Sequence, residues 1–498
     1  MPFREAYNRR VSGPIRWLVF LALVPALAAC STGRTPRTAD VTLPASFEAG
    51  GGVALPQASL DRWWTLYADV ELEGLVEQAL IASPTQRLAE ARLEEARAVR
   101  QAVSAGLYPQ GNVEGAVSGT RTEQLGGDTG GSGGGAPGAG FNTFGAEGNS
   151  RALSLNFPVS WEIDFFGRRR AALRTADADL VAARFNAEAT RAQLAADVAD
   201  SLFQARGLAT RLEDAQATVR IQSELVRVVR RRIDVGISAG ADSSRVEADL
   251  ATAQADSAAL EAELRAAKRA LLVLAGRGTE PTEALVVGPV AGDPPAAPAL
   301  LPAELLARRP DVREAEARLA ASAGALTQAE LDFFPRFTLL PSLGLSSQSF
   351  EGFGSDTASA TLGLGLGVPI LDRPRLRAQL RGQTARTEQA VINYERSVQN
   401  AFSESERTLV QLNADRNRVA LLTNGETRAR VAYDAARRRY QLGLEDLQTV
   451  LDAERVWRGN RAGLTTARVQ ALQRSVQVFK ALGGGWPATG VPTQAGSR

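Results

Sequence analysis

The chain has 498 residues, of which 44% are apolar, and a formal net charge of +2. Its first 29 residues hold four arginines and one glutamate, so the remainder carries a net charge of −1, which argues against a nucleic-acid-binding protein. There is no histidine and a single cysteine, Cys30, which excludes Ser/His/Asp and Cys/His catalysis, histidine-ligated metals and disulfides within the chain.

The N-terminal segment has the pattern of a secretory signal peptide. Arginines precede an apolar run from Trp17 to Ala29, which is too short for a good membrane span. The letters LAAC at 27–30 resemble the bacterial lipobox, and this resemblance implies cleavage before Cys30, with a diacylglycerol on its sulfur and an acyl chain on its amino group. Ser31 in the next position implies sorting to the outer membrane. An ordinary signal peptide is the alternative, which the position of the sole cysteine makes weaker.

Helical patterns fill most of the remaining chain. The predicted helices cover 70–107, 168–235, 243–274, 302–331, 376–442 and 446–482. Pro109 follows the first of them and breaks the helix. Two helices, 168–235 and 376–442, are free of proline and would each be roughly 100 Å long at 1.5 Å per residue. An elongated molecule is therefore expected, rather than three globular domains.

The two halves of the chain repeat each other. Arg230–Arg232 recurs as Arg437–Arg439, and Tyr108-Pro109 is matched by Phe334-Pro335. A Gly-rich segment at 124–145 and a shorter segment at 351–359 lie at corresponding positions in the two halves, and both are predicted to be loops. Each half therefore predicts a helix, a strand, a loop, a strand, a very long helix, a turn and a final helix.

Four segments alternate between apolar and small or polar residues. Strands are predicted at about 111–121, 150–159, 336–348 and 359–371. Period two with one apolar face fits a strand between lipid and water, although a small soluble sheet packed on helices is the alternative. Since unpaired strand edges are not tolerated in hydrocarbon and single-chain barrels begin at about eight strands, we expect three chains to close a barrel of about 12.

Two other motifs have structural interpretations. Trp161, Phe165 and Phe166 follow the second predicted strand, and such aromatic residues either lie at a membrane boundary or pack a core. The two interpretations remain open. In the motif that begins RRPD, Pro310 suits the first turn of a helix and Asp311 favours its positive end, so helix capping explains this motif.

Several longer motifs resemble the TolC/OprM/NodT group of outer-membrane factors, and the resemblance covers nearly the whole mature chain. They are PVSWEIDFFGRRRAAL at 158–173, RRPDVREAEARLAA at 308–321, FFPRFTL at 333–339, YQLGLEDLQTVLDAER at 440–455 and ALGGGW at 481–486. The resemblance implies a mainly α protein with a transmembrane β-barrel portion. It also implies a homotrimer with a 12-stranded β-barrel, a long periplasmic α-barrel and a mixed equatorial domain.

This resemblance suggests a division of the chain. The expected parts are a signal peptide at 1–29, an acylated segment and part of the equatorial domain at 30–69, a first repeat at 70–275, an equatorial linker at 276–301, a second repeat at 302–482 and a tail at 483–498.

The resemblance also implies a periplasmic gate at the tips of the long helices. Tyr440 matches a family position that ties neighbouring hairpins together, and Asp452 matches an acidic residue that faces the bore and forms a three-fold ring. Gln448 and Thr449 replace apolar or second acidic residues, so a double ring is not expected. A solvated carboxylate on a helix surface is the alternative for Asp452.

One further gate contact is a hypothesis from charge. Glu445 lies where some members of the resembled family have an arginine that links hairpins. Arg245 lies near a position that is acidic in that family. We therefore expect a charge-swapped link between Arg245 and Glu445.

The expected function is passive conduction in a tripartite efflux system. The sequence has no ATP-binding motif, so energy would come from an inner-membrane pump, of the RND type by resemblance, through a periplasmic adaptor that docks at the helix tips. Outer-membrane lipid is a further partner, no nucleic acid is expected, and no cofactor is expected beyond the lipid on Cys30. The alternatives are a protein-secretion duct and a non-conducting structural lipoprotein; a lipoprotein enzyme is remote, because no pocket-forming motif is recognisable.

Overall fold

The computed structural model describes residues 39–48, 60–122, 148–235, 240–290, 292–299, 302–350 and 353–485. The predicted signal peptide, Cys30, the Gly-rich segment 124–145 and the last 13 residues lie outside this range. The described chain divides into two compact units. The strand unit takes in 98–177 and 320–388, and the helix unit takes in 38–97, 178–319 and 389–498.

Eight α-helices and five β-strands are found in the described residues. In chain order they are α1 Val70–Ala82, α2 Pro84–Ala105, β1 Gln110–Gly111, β2 Glu114–Thr122, β3 Gly148–Ile163, α3 Arg168–Asp234, α4 Gly240–Leu274, α5 Pro302–Arg308, α6 Pro310–Leu331, β4 Arg336–Phe350, β5 Phe353–Gly367, α7 Arg373–Gln441 and α8 Leu447–Ala481. Short 3-10 helices lie at Trp63–Tyr67 and Thr282–Ala284. Among these residues no helix combines the length and the apolar character needed to cross a membrane.

The strand unit contains an antiparallel sheet. β3 pairs with β4 and β4 with β5, while β1 and β2 both pair with the other edge of β3. Leu155 lies opposite Leu345, and Leu339 lies opposite Leu364. Because side chains alternate across a strand, the leucines of neighbouring strands share one face of the sheet. That face is exposed in the single chain, with Leu364 at 71%.

The aromatic residues near the end of β3 pack within the strand unit. Trp161 lies inside β3 and donates its Nε1–H to a main-chain carbonyl 3.0 Å away. The rings of Phe165 and Phe337 are 5.0 Å apart and those of Phe166 and Phe334 are 4.9 Å apart. Phe165 is nevertheless 65% exposed. All three aromatic side chains therefore make contacts within the strand unit, and the rings of Phe165 and Phe166 are exposed there.

The core of the helix unit lies where the first 3-10 helix meets α1, α3, α4 and α8. Trp63 is fully buried and stacks on Phe479, with ring centroids 5.8 Å apart and planes 7° apart. The facing part of α3 is rich in buried alanine from Ala192 to Ala205. Leu202 and Phe203 are buried in the same stretch, and the Phe203 ring lies 5.3 Å from the ring of Tyr67.

Buried arginines hold the helices of this unit together. Arg206 of α3 binds Asp69, which caps α1, and Glu71 in the first turn of α1, the latter at 2.6 Å. Arg309 is buried and binds Glu404 of α7 at 2.7 Å and Asp311 at 2.8 Å. The helix start predicted at Pro310 is confirmed. Capping does not fully explain the RRPD motif, however, because Arg309 also ties α6 to α7.

Several predicted boundaries were wrong, and the strand predicted at 359–371 ends at Gly367. The helices predicted at 70–107 and 302–331 are each divided, at Ser83 and at Arg309, because each of these residues precedes a proline. A residue before proline avoids the helical conformation, and Ser83 accordingly has an extended backbone. β5 begins at Phe353, inside the segment expected to be a loop at 351–359. After Phe353 its first residues are small or polar and carry no alternating signal, although their main chain pairs fully with β4.

Candidate functional site: the tips of the helical hairpins

The helix unit contains most of two helical hairpins, hairpin 1 from α3 and α4 and hairpin 2 from α7 and α8. The turn of hairpin 2 explains the letters LGLED at 442–446. Gly443 has φ of 77°, a left-handed conformation that favours glycine. Leu444 N–H donates to Arg439 O at 2.9 Å and closes α7. Asp446 then caps α8 by accepting from Thr449 N–H at 2.7 Å, and this bond lowers the pKa of the Asp446 carboxyl.

Tyr440 joins the two hairpins within one chain. It is buried, with 5% exposure, in an apolar cluster that also contains Leu225 and Val228 of α3. The guanidinium carbon of Arg232, also on α3, lies 4.5 Å from the centre of the Tyr440 ring. A cation over an aromatic face is attracted by the electrons of the ring. Arg232, the last residue of the arginine run 230–232, therefore contacts Tyr440, which directly follows the matching arginine run 437–439.

Asp452 lies on the surface of α8, half exposed. Its Oδ2 accepts from Gln448 Nε2 at 2.8 Å and its Oδ1 pairs with Arg455 Nη1 at 2.9 Å. Thr449 is exposed one turn before Asp452. Gln448, Thr449 and Asp452 are three and four residues apart, so they share one face of the helix. In the single chain the Asp452 charge is compensated by Arg455.

Glu445 and Arg245 do not meet within one chain. Glu445 Oε2 binds Arg439 Nε of its own hairpin at 2.9 Å. Arg245 is exposed, and no hydrogen bond or ion pair joins it to another described residue. The Arg245–Glu445 link predicted from the sequence is therefore not formed inside the protomer.

Two polar contacts that the sequence did not reveal also join the hairpins. Arg437 Nη2 lies 3.5 Å from Glu224 Oε2 on the surface, and Gln222 Nε2 donates to Glu454 Oε2 at 2.7 Å in the interior. Burial raises the pKa of the Glu454 carboxyl. The sequence did contain a signal for Glu454, because it continues the stripe of Leu447, Val450 and Leu451 that faces inward on α8.

The contacts at the hairpin tips connect the two hairpins and do not have the arrangement of a catalytic centre. The described residues contain no group of three or more His, Cys, Asp or Glu side chains placed to hold a metal ion. Near their tips the hairpins are instead joined by a cation–π contact, an exposed ion pair and a buried hydrogen bond. Moving one hairpin past the other requires these contacts to break.

Comparison with known proteins identifies the family. The model of the family described as outer membrane efflux protein matches residues 75–277 and 301–484. The chain belongs to this family. The pyoverdine export outer membrane protein OpmQ of Pseudomonas putida is 31% identical to it over 479 residues, which cover 95% of this chain and 98% of OpmQ. The cation efflux system protein CusC of Escherichia coli is 26% identical over 425 residues, which cover 85% of this chain and 88% of CusC.

A solved structure supports the same assignment. The outer-membrane channel OprN matches this outer membrane efflux protein with a TM-score of 0.76 and 30% identity, over 92% of this chain and 100% of the OprN chain. The predicted family, the mainly α fold with a sheet portion, the efflux function and the outer-membrane location are thereby confirmed. The family is one of efflux ducts and not of enzymes.

Proposed function

We propose that three copies of this outer membrane efflux protein form a passive, water-filled exit duct for small molecules. The observation that carries the proposal is the open sheet of the strand unit, whose leucine face is exposed and in which β5 pairs only with β4 within the described residues. Hydrocarbon does not tolerate such an edge, so neighbouring copies close the sheet. Three copies with four long strands each give a β-barrel of about 12 strands, and the long helices of the three copies form an α-barrel.

The duct depends on partners for energy and for contact with the inner membrane. We propose an inner-membrane pump of the RND type and a periplasmic adaptor that binds the hairpin tips. Small-molecule export is favoured over protein secretion because OpmQ and CusC are named for pyoverdine export and cation efflux. Acylation of Cys30 would anchor the chain, since each buried CH₂ adds roughly 0.8 kcal/mol. The proposal includes no cofactor and no enzymatic activity.

We further propose that Asp452 faces the bore and is repeated by the three-fold axis as an acidic ring. Its 50% exposed side chain supports this, as do the exposed Gln448 and Thr449 on the same helix face. Three carboxylates close together attract cations and oppose anions. Tyr440 then acts behind the ring by holding the two hairpins of each protomer together.

Single-channel conductance in a planar bilayer tests this function. Wild-type protein should give small, cation-selective openings, and Asp452→Ala should give larger openings with less selectivity. Glu261→Ala is a matched control, because Glu261 is an exposed helical carboxylate that also pairs with an arginine, Arg265, at 3.0 Å. This control should conduct as the wild type does. Absence of conductance in folded wild-type protein would favour the structural lipoprotein instead.

The Arg245–Glu445 link is proposed between hairpins of neighbouring protomers. Within one chain Glu445 binds Arg439 and Arg245 stays exposed, so Arg245 is accessible to a second copy. Reversing either charge should loosen the closed state and reversing both should restore it. Unchanged conductance in both single reversals would remove this link from the gate.

A further inference from the structure

Glu454 is a carboxylic acid inside the contact between the two hairpins. It is 2% exposed, and its Oε2 accepts a hydrogen bond from Gln222 Nε2 at 2.7 Å. The remaining oxygens of this pair, Glu454 Oε1 and Gln222 Oε1, are both buried and have no hydrogen-bond partner among the described residues. Two buried acceptors therefore lack a donor, and an acceptor left unsatisfied in the interior is unfavourable.

The charged groups nearest Glu454 lie on α8 itself and on α4. Arg458, one turn further along α8, attracts the carboxylate but makes no hydrogen bond or ion pair with the described residues, and its Nε is buried without a partner. Arg455 also attracts it, although Arg455 is paired with Asp452. Asp249 of α4 repels it. None of the three forms an ion pair with Glu454 in this state.

The helices α7 and α3 complete the surroundings. The Tyr433 ring of α7 is buried beside Glu454. Burial is the main cause that raises the pKa of the Tyr433 hydroxyl, and the Glu454 carboxyl raises it further. Glu224 of α3 and Arg437 of α7 line the same small cavity as Glu454 and compensate each other at 3.5 Å. Within the part of the chain that the structure describes, no element packed against Glu454 therefore supplies a free cation in hydrogen-bonding contact with it, and burial raises the pKa of Glu454.

We propose that Glu454 and Gln222 form a proton-dependent latch between hairpins 1 and 2. With a proton on Oε1, Glu454 donates to Gln222 Oε1 while its Oε2 accepts from Gln222 Nε2, so one proton satisfies both unpartnered acceptors. When that proton leaves to water, the carboxylate turns to Arg458, four residues along its own helix, and the bond to Gln222 breaks. The effect of the latch on channel opening rests on the proposed duct, but the latch itself does not.

The direction of the pH dependence follows from the raised pKa of Glu454. The latched state holds a proton that an unlatched, solvated glutamate releases near its ordinary pKa. The latch is therefore strongest below the ordinary glutamate pKa and weakens as the pH rises from that value to the raised one. Higher pH favours separation of the hairpins.

Hydrogen–deuterium exchange of the full-length protein, followed by mass spectrometry, tests the latch. We compare wild type with Glu454→Gln, which mimics the protonated side chain and cannot lose a proton. The readout is the exchange rate of α3 peptides around Gln222, whose sequence is the same in both proteins. The ratio of the two rates at one pH cancels the intrinsic pH dependence of exchange.

At low pH the two proteins should exchange alike. As the pH rises, the wild type should become faster, by roughly tenfold for each unit by which the pKa of Glu454 is raised. Glu261→Gln, a substitution of an exposed glutamate on α4, should match the wild type at every pH. A ratio of wild type to Glu454→Gln that stays constant with pH, or that falls, would overturn the latch.

A second variant keeps the test decisive if Glu454→Gln does not fold. Arg458→Met removes the cation that receives the carboxylate, so the rise in exchange around Gln222 should shift to higher pH. An unchanged or lower midpoint would contradict the proposed exchange of partners. Because exchange is measured without conduction, a latch that titrates in a non-conducting protein would overturn the proposed duct and leave the latch standing.

Discussion

Asp452 shows how a neighbouring residue can limit the effect of a charge. Its carboxylate is 2.9 Å from the Arg455 guanidinium, so each protomer brings a compensated pair to the proposed ring rather than a free anion. The strength of the ring therefore depends on how well Arg455 holds its partner. An exposed pair of this kind contributes only about 0.2–1 kcal/mol.

We predict that Arg455→Gln increases cation selectivity. Removing the arginine leaves three uncompensated carboxylates at the ring, and the cation-to-anion permeability ratio should rise by up to about fivefold. Reversal potentials in a salt gradient measure this ratio. Arg265→Gln, which frees the exposed Glu261 in the same way on α4, serves as the control and should leave the ratio unchanged. A fall in selectivity in Arg455→Gln would contradict the position proposed for Asp452.

A second residue-scale prediction concerns Asp200 in the helix unit. Burial is the main cause that raises the pKa of the Asp200 carboxyl to about 7. The hydrogen bond from Gln477 lowers this pKa, and the charge of Asp197 raises it further. The native state holds a proton that the unfolded chain releases near pH 3.8. Stability should therefore decrease as the pH rises from there to about 7, by at most about 4 kcal/mol per protomer.

Thermal unfolding as a function of pH checks this expectation. Asp200→Asn keeps the shape of the side chain and an oxygen for the Gln477 bond, but it cannot ionise. This variant should lose the pH dependence over that range and should be the more stable protein at neutral pH. If its unfolding midpoint follows the wild-type curve, another group is responsible.

At the scale of elements, the turn of hairpin 2 depends on one backbone conformation. Gly443 is left-handed, and a side chain there costs roughly 1–2 kcal/mol. Gly443→Ala should therefore lower the unfolding midpoint of the protein. Gly382→Ala is the opposite case, because Gly382 lies inside α7 with open space around it, and alanine there should stabilise by up to about 1 kcal/mol. Equal effects at the two sites would contradict this account of the turn.

The helices differ in how far their bounds could be read from the sequence. α3 was predicted at 168–235 and found at Arg168–Asp234, since a long proline-free run with helix formers at most positions has a strong local signal. The break at Ser83 was missed, although Pro84 marks it, because the apolar spacing continues on both sides. Local periodicity thus defined the regular parts of the chain better than the junctions between them.

At the scale of the whole molecule, the proposed membrane barrel makes the two faces of the sheet unequal. Leu364 points to the apolar face, and Ser342 of the neighbouring strand points to the other. Leu364→Arg should impair membrane assembly, because arginine on a lipid-facing strand costs about 2–4 kcal/mol near the bilayer centre. Ser342→Arg should be tolerated in a water-filled lumen.

Membrane extraction and native gels that resolve trimers from monomers measure this difference. Trimer yield should fall for Leu364→Arg and stay near the wild-type level for Ser342→Arg. The reverse order would place the serine face against lipid. Equal losses in both variants would favour a sheet that is packed on both sides, as in a soluble protein.

The sequence by itself determined the features that depend on neighbours along the chain. The long helices, the glycine turn after Tyr440 and the alternating strands all follow from propensity and period. The tertiary structure alone decided that Arg232 lies over Tyr440 and that Glu454 binds Gln222, which is 232 residues away. The reason is physical: periodicity shows which face of a helix is buried, but the groups that cover that face come from other helices, and they decide whether a buried carboxyl keeps its proton.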